Sequence, residues 1–143
     1  MGEPMFIETK SLYLRQFNQN DSSKVFSMSR ESGIRKWIPD QVYENERHAR
    51  KVLDYLINQY EKAGNPLSGP YVLGVCLRET GELIGHVGLS PFGDFVEVGY
   101  AIEDILQRHG YATRAVVAVS IWGIEKLKLY KIYGIVSKQG VLL

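Results

Sequence analysis

The sequence predicts an α+β fold with a mostly antiparallel central sheet and helices on both faces of that sheet. Three observations lead to this fold class. Three strand-like segments follow one another with only short turns between them, which is typical of an antiparallel meander. Two helical segments come before this meander. A long apolar helical segment comes after it and precedes one more strand-like segment, which such a crossover makes parallel to its neighbour.

The N-terminal part of the chain combines one strand with two helices. Alternating apolar and polar residues predict a strand over Thr9–Phe17. Capping side chains then begin a short helix over about Asp21–Arg30. The segment Gly33–Tyr43 is predicted to be irregular, because Pro39 breaks helices. Apolar residues at helical spacing predict a second helix over about Asn45–Ala63, which a glycine–asparagine–proline run ends.

The rest of the chain contains the meander and the crossover. We expect strands over Tyr71–Arg78, Glu82–Ser90 and Phe95–Ile102, joined by two turns. The helix Tyr111–Lys126 is apolar on nearly every side, which predicts burial against the sheet and a second neighbour. The segment Tyr130–Ser137 is predicted to be the last strand.

Composition and charge restrict the class of protein. The chain has 143 residues, 45% of them hydrophobic and 23% charged, which predicts one domain over residues 1–143. A net charge of +1 without a basic stripe argues against a nucleic-acid partner. No apolar run approaches the roughly 20 residues of a membrane span, so no membrane partner is expected.

Cysteine and histidine usage bears on the compartment and on metal binding. The single Cys76 excludes an internal disulfide framework and fits a reducing cytosol. The N-terminus has no basic and apolar segments of a secretory signal, so we expect a cytoplasmic protein. The three histidines, His48, His86 and His109, lack the spacing of metal ligands, and no metal is predicted.

A glycine-bearing turn before the long helix predicts an anion site. The first N–H groups of a helix have no partner within it, and together with the helix dipole they attract phosphate oxygens. Gly110 lets a ligand approach the backbone without a Cβ in the way. The candidate phosphate-binding residues are Gln107, Arg108, His109, Gly110, Tyr111, Ala112 and Thr113.

Four motifs in one order resemble the GNAT superfamily of N-acetyltransferases, in its branch of ribosomal-protein N-terminal acetyltransferases. They are the opening Glu8–Phe17, the hairpin Thr80–Leu89, the strand Glu97–Ile102 and the string Gly110–Thr113. The resemblance covers nearly the whole chain. It implies an acetyl-CoA-dependent N-acetyltransferase whose acceptor is a primary amine of a peptide or small molecule, attacked directly in a ternary complex.

The resemblance also assigns roles to residues of this chain. The loop before the long helix would bind the pyrophosphate of CoA. Tyr100, Ala101 and Ile102 would hydrogen-bond the pantetheine arm as if it were an added strand; otherwise they are core strand residues. Glu97 would remove the proton of the amine, and its alternative role is a structural carboxylate paired with a base. His86, on the neighbouring strand, is the competing base or a residue of the acceptor site.

The acceptor site is expected near the irregular segment between the first two helices. Trp37 and Tyr43 lie there and match the position where members of the superfamily line the acceptor site. The alternative is that the apolar pair Trp37 and Ile38 only packs into the hydrophobic core.

Two departures from the superfamily pattern are visible. Arg108 stands where a glycine is common, although a cation beside phosphate is compatible with the site. The chain also ends at Leu143, without the last helix and two strands usual in the superfamily. An alternative function follows: an inactive GNAT fold that binds CoA or a protein partner. An uncovered last strand further predicts a homodimer or higher oligomer.

Overall fold

The computed structural model describes residues 6–31, 42–62, 66, 69–103 and 109–134. Its strands form one six-stranded sheet in the order β1-β2-β3-β4-β5-β6. Every neighbouring pair is antiparallel except β5 and β6, which are parallel. The strands are β1 Phe6–Glu8, β2 Leu12–Gln16, β3 Tyr71–Leu77, β4 Leu83–Phe92, β5 Phe95–Ile102 and β6 Tyr133–Gly134.

Within the described residues, three α-helices pack on the two faces of this sheet: α1 Ser22–Ser29, α2 Glu46–Lys62 and α3 Tyr111–Lys126. Ala115 and Val119 of α3 are buried with Leu14, Val75 and Val87 of the sheet. A second cluster joins α1 and α2 to the opposite face, through Met28, Leu53, Phe17, Cys76 and Leu83. The predicted fold class, with helices on both faces of a mostly antiparallel sheet, is confirmed.

The predicted first strand was wrong in one respect, because the chain forms a hairpin there. Thr9 closes the turn between β1 and β2: its N–H donates to the carbonyl of Leu12 at 2.8 Å, and its hydroxyl accepts the N–H of Leu12 at 3.0 Å. A threonine hydroxyl that bonds the backbone favours a turn over a continuous strand. Thr9 therefore lies outside the strand, and β1 was missed because it has only three residues.

The entry into α1 is held by a polar network that links it to β2. Asn18 caps a single 3-10 turn over Gln19–Asp21, and Asp21 accepts the N–H of Asn18 in return. Arg15 donates to both carboxylate oxygens of Asp21, at 2.9 and 2.8 Å. Such a bidentate pair is stronger and more directional than a single contact. The helix therefore begins one residue later than expected.

One tyrosine of helix α2 adds hydrogen bonds to its apolar contact with the sheet. The hydroxyl of Tyr60 accepts the N–H of Phe17 at 2.9 Å and donates to the carbonyl of Val72. Burial raises the pKa of Tyr60, so its hydroxyl stays protonated and can make both bonds. The predicted end of this helix at Ala63 lies outside the described residues.

The remaining elements agree closely with expectation, with three differences. The second turn is shorter than predicted, because β4 continues through Pro91 and Phe92 and Gly93 makes the reversal with φ 60°. Helix α3 has the predicted bounds, but it is not buried on nearly every side. Val117 and Ile121 are each 50% exposed and Ile124 is 48% exposed. The last strand was predicted to begin at Tyr130, but β6 comprises only Tyr133–Gly134 and residues 130–132 are not in a strand. Residues 135–137 lie outside the described residues.

Candidate active site

A cavity of about 340 Å³ lies between helices α1 and α2 and one end of strands β4 and β5. Its walls are mostly apolar, and its polar groups come from several different elements. The apolar lining residues include Phe17, Val25, Met28, Val52, Leu53, Leu56 and Val72. The polar ones are Ser29, Glu31, Tyr43, His48, Tyr55, His86, Ser90 and Glu103. A few polar groups in an apolar cavity are typical of a small-molecule site.

His86 belongs to this cavity because of its register on β4. It lies opposite Ala101 of β5, so both residues point to the face covered by α1 and α2. Gly85 beside it permits close strand contact, since a Cβ there would collide with the backbone of Ala101 and Ile102. Burial lowers the pKa of His86 to about 4, because the protonated ring would lose its hydration. His86 is therefore a neutral imidazole at pH 7.

The burial of His86 predicts a pH dependence of stability. The folded protein keeps His86 neutral down to about pH 4, whereas the unfolded chain protonates it near its ordinary pKa of 6.5. Between these values the unfolded state binds more protons, so stability is full above pH 6.5 and decreases as the pH falls towards 4. The decrease should reach about 2 kcal/mol by pH 5. Urea unfolding at about pH 7.5 and pH 5 measures it.

The matched variants for that measurement are His86→Gln and His109→Gln. His86→Gln should lose most of the difference in unfolding free energy between the two pH values. His109 is exposed, so His109→Gln should show the same difference in unfolding free energy as the wild type. If His86→Gln keeps the full wild-type difference, the burial of a neutral His86 is not its cause.

Glu103 is a cavity residue that the sequence interpretation missed. It follows β5 directly, is 9% exposed, and its N–H donates to the carbonyl of Ile84 at 2.8 Å. Its carboxylate pairs with Lys24 of α1, which also contacts Glu82 at 3.3 Å. The only signal in the sequence was an acid directly after the strand expected to hold the pantetheine arm. Its burial depends on α1, which no local pattern could indicate.

Glu97 lies on the same face of the sheet as His86 but at a distance from it. It is half-buried in the middle of the paired strands, opposite Ser90 of β4 and Tyr133 of β6. Four residues separate it from Ala101, which corresponds to about 13 Å along a strand. The described lining of the cavity contains Ser90 but not Glu97. The structure therefore does not bring the two candidate bases together.

The three residues predicted to hold the pantetheine arm divide between the two faces of the sheet. Ala101 and Ile102 line the cavity. Tyr100 packs against the core cluster beneath α3, and partial burial raises its pKa. All three residues nevertheless belong to one strand, β5, and an added arm would follow the backbone of that strand.

The predicted phosphate-binding loop is described from His109 onward, and Gln107 and Arg108 lie outside the described residues. Gly110 is the N-cap of α3 with φ 78°, a left-handed conformation that suits glycine. Its carbonyl accepts the N–H of Arg114 at 3.1 Å, and the rings of His109 and Tyr111 stack at 5.5 Å. Gly110 and Thr113 are exposed and Ala112 is half-buried. The start of this helix is thus open to a ligand.

The predicted acceptor-site residues are only partly described. Trp37 and Ile38 lie outside the described residues. Tyr43 lines the cavity, its ring contacts His48 at 5.1 Å between centroids, and burial raises its pKa. The hydroxyl of Ser29 accepts the N–H of Tyr43 at 3.3 Å, which ties this segment to α1.

Cys76 of β3 is buried in the cluster that joins α1 and α2 to the sheet. Burial raises the pKa of its thiol, which disfavours the reactive thiolate. Within the described ranges, no three His, Cys, Asp or Glu side chains are grouped so that they could hold a metal ion. No helix in the described part of the chain is long and apolar enough to cross a membrane.

Comparison with known proteins identifies the family. Residues 11–139 match the Acetyltransferase (GNAT) domain family. That match covers most of the chain, which therefore belongs to this family and is an acetyltransferase.

Individual relatives agree with this assignment. The chain is 29% identical over 139 residues to the uncharacterized N-acetyltransferase YnaD of Bacillus subtilis strain 168, covering 96% of this chain and 76% of YnaD. A GNAT-family acetyltransferase from Bacillus anthracis has 26% identity and a TM-score of 0.72, covering 91% and 72% of the two chains. RimL, a ribosomal alpha-N-protein acetyltransferase in complex with coenzyme A, shares the fold at 12% identity, with a TM-score of 0.74 and coverages of 91% and 73%.

Proposed function

We propose that the protein transfers the acetyl group of acetyl-CoA directly to a primary amine within a ternary complex. One observation carries this proposal. Ala101 and Ile102, the residues proposed to hold the pantetheine arm, form part of the wall of the cavity that would receive the acceptor. The chain then continues to Gly110 at the start of α3. A donor that follows this path would bring its thioester to the cavity.

The described residues fit the phosphates of CoA. Gly110 has no side chain, and no described heavy atom lies within 4 Å of the place where a Cβ would be. The N–H groups of Tyr111, Ala112 and Thr113 belong to the first turn of α3, where helices lack internal acceptors. A phosphate would supply those acceptors and would meet the positive end of the helix dipole. Gln107 and Arg108 are proposed to complete the loop.

Bound acetyl-CoA supplies the thioester carbonyl that the amine attacks, and the carbon–sulfur bond breaks with its electron pair remaining on sulfur. The residues of the chain have to position the neutral amine and accept its surplus proton, while the sulfur leaves as a thiol after protonation. We assign proton removal to Glu97. Because Glu97 lies about 13 Å along β5 from Ala101, it would act through a chain of several waters on the face that Ser90 shares. His86 and Tyr43 are assigned to the acceptor site.

The test of this function is acetyl-CoA-dependent release of free thiol with a panel of primary amines, together with calorimetric titration of CoA. We expect CoA binding and amine-dependent thiol release. CoA binding without acetylation of any amine would mean that the protein is a CoA-binding module and not an enzyme. If the protein neither binds CoA nor acetylates an amine, the assignment of the donor site is wrong.

Homo-oligomer formation remains a prediction, and the exposed side of α3 supports it. Val117, Ile121 and Ile124 lie on successive turns of one helix face, and each is about half exposed. A second copy of the chain offers the same uncharged stripe, so the contact would be isologous.

Light scattering at micromolar concentration should give at least a dimer. Ile121→Lys should shift it towards monomer, whereas Lys126→Glu, in the exposed last turn of the helix but off this face, should not. A wild-type monomer would contradict the prediction.

A further inference from the structure

We propose that the cavity binds a small primary amine with an apolar aryl or alkyl body and no carboxylate, and that Glu103 holds its ammonium group. This inference rests on the proposed function, since it names the class of acceptor for the same site. It depends on four features of the cavity: its apolar walls, the sign of its charges, the pairing of its backbone and its size.

The walls of the cavity suit an apolar body. Helices α1 and α2 contribute the side chains of Val25, Met28, Val52 and Leu56, and the sheet side contributes Phe17 and Val72. Burial of an apolar ligand against such walls is favourable by about 25 cal/mol for each Å² removed from water. A strongly polar acceptor would gain nothing from these walls and would lose its hydration.

The charges that face the cavity have one sign. Glu31 and Glu103 line it, and no lysine or arginine is among the described residues that do so. Lys24 contacts the Glu103 carboxylate from α1, but Lys24 itself is not a lining residue. A carboxylate on the acceptor would therefore meet acidic side chains and, among the described lining residues, no cationic one. An ammonium group can instead share the Glu103 carboxylate with Lys24, because a carboxylate accepts several hydrogen bonds.

Glu103 is also in the right place for the reacting nitrogen. It follows Ile102 without a gap, and its N–H bond to Ile84 fixes it at the end of the β4–β5 pair. The pantetheine arm is proposed to lie along Tyr100–Ile102. An amine held by Glu103 is therefore adjacent to the end of the arm.

The backbone around the cavity disfavours a peptide acceptor. Strand β4 is paired with β3 on one side and with β5 on the other, from Gly85 to Leu89, so its N–H and C=O groups are already used. The edge of β5 beyond Val98 is the proposed place of the pantetheine arm. Buried amide groups of a peptide would be left without partners, which costs free energy.

The volume of the cavity also favours a small amine as the acceptor. A cavity of about 340 Å³ is at the small end of the range for small-molecule sites. A compact amine such as phenethylamine fits this volume.

The experiment compares phenethylamine, phenylalanine and the dipeptide Phe-Gly in two assays on the same protein. Calorimetric titration into the CoA-bound protein reports acceptor binding without turnover, and thiol release with acetyl-CoA reports transfer. We expect phenethylamine to bind at least tenfold more tightly than phenylalanine or Phe-Gly and to be the preferred substrate. Preferential acetylation of Phe-Gly would overturn the inference and keep the proposed function. Tight binding of phenethylamine without transfer would support the amine site and overturn the proposed function. Absence of phenethylamine binding would overturn the inference.

Matched variants separate a contact with the amine from a structural role of the ion pair. Glu103→Gln and Lys24→Gln both remove the contact between Lys24 and Glu103, but only Glu103→Gln removes the carboxylate from the cavity. Loss of a charged hydrogen bond should weaken phenethylamine binding by about tenfold to a hundredfold in Glu103→Gln. Lys24→Gln should bind as tightly as wild type or more tightly, and Glu82→Gln, which alters the same lysine outside the cavity, should match wild type. Equal weakening in Glu103→Gln and Lys24→Gln would show that the ion pair acts only through structure and would overturn the role of Glu103.

Discussion

Gly110→Val is expected to abolish measurable CoA binding. The residue has φ 78° at the N-cap of α3, a conformation that a β-branched side chain avoids at a cost of about 1–3 kcal/mol. The added Cβ would also occupy the open space that we assign to the phosphates. Lost hydrogen bonds to a charged group add to this cost, so affinity should fall by about a hundredfold or more. Calorimetric titration with CoA gives the result directly.

The matched control is Gly93→Val in the turn between β4 and β5. Gly93 also has a positive φ, of 60°, and no described heavy atom lies within 4 Å of its added Cβ. Both variants therefore carry a comparable backbone strain, but only Gly110 adjoins the proposed phosphate site. Similar CoA affinities in the two variants would remove the start of α3 from the donor site.

Glu97→Gln is expected to lower turnover by about a hundredfold at neutral pH while leaving CoA affinity nearly unchanged. The substitution keeps the size of the side chain and removes its ability to accept a proton. Glu97 lies in a paired part of β5, between Ser90 and Tyr133, so the strand itself should persist. Steady-state rates with a fixed amine, together with calorimetric CoA binding, separate catalysis from donor binding.

Two further variants decide between the candidate bases. Glu79→Gln, in the exposed turn between β3 and β4, should behave as wild type. His86→Gln should raise the KM for the amine more than it lowers kcat, because we place His86 in the acceptor site. If His86→Gln shows the large loss of kcat and Glu97→Gln does not, proton removal belongs to His86. Equal losses in Glu97→Gln and Glu79→Gln would indicate a nonspecific effect.

Elements with local signals were predicted well from the sequence. The bounds of α3 and β5 were correct, because a continuous apolar helix and an alternating strand carry their period in every few residues. The parallel pairing of β5 and β6 followed from the helix crossover between them. The hairpin at Thr9 was missed, because β1 is too short to show a period and its turn depends on one hydroxyl.

The amino-acid sequence alone determined the fold class, the order of strands and helices, the family resemblance and the position of Gly110 at the start of a helix. The tertiary structure decided which of the candidate residues share a site. It placed His86 and Tyr43 in one cavity with Glu103, and it separated Glu97 from them along β5. It also left one side of α3 exposed, where an all-round apolar helix had predicted burial. The physical reason is that periodicity is a property of neighbouring residues, whereas burial and proximity depend on partners distant in the chain. Glu103, for example, is buried and contacts Lys24, which lies on another element.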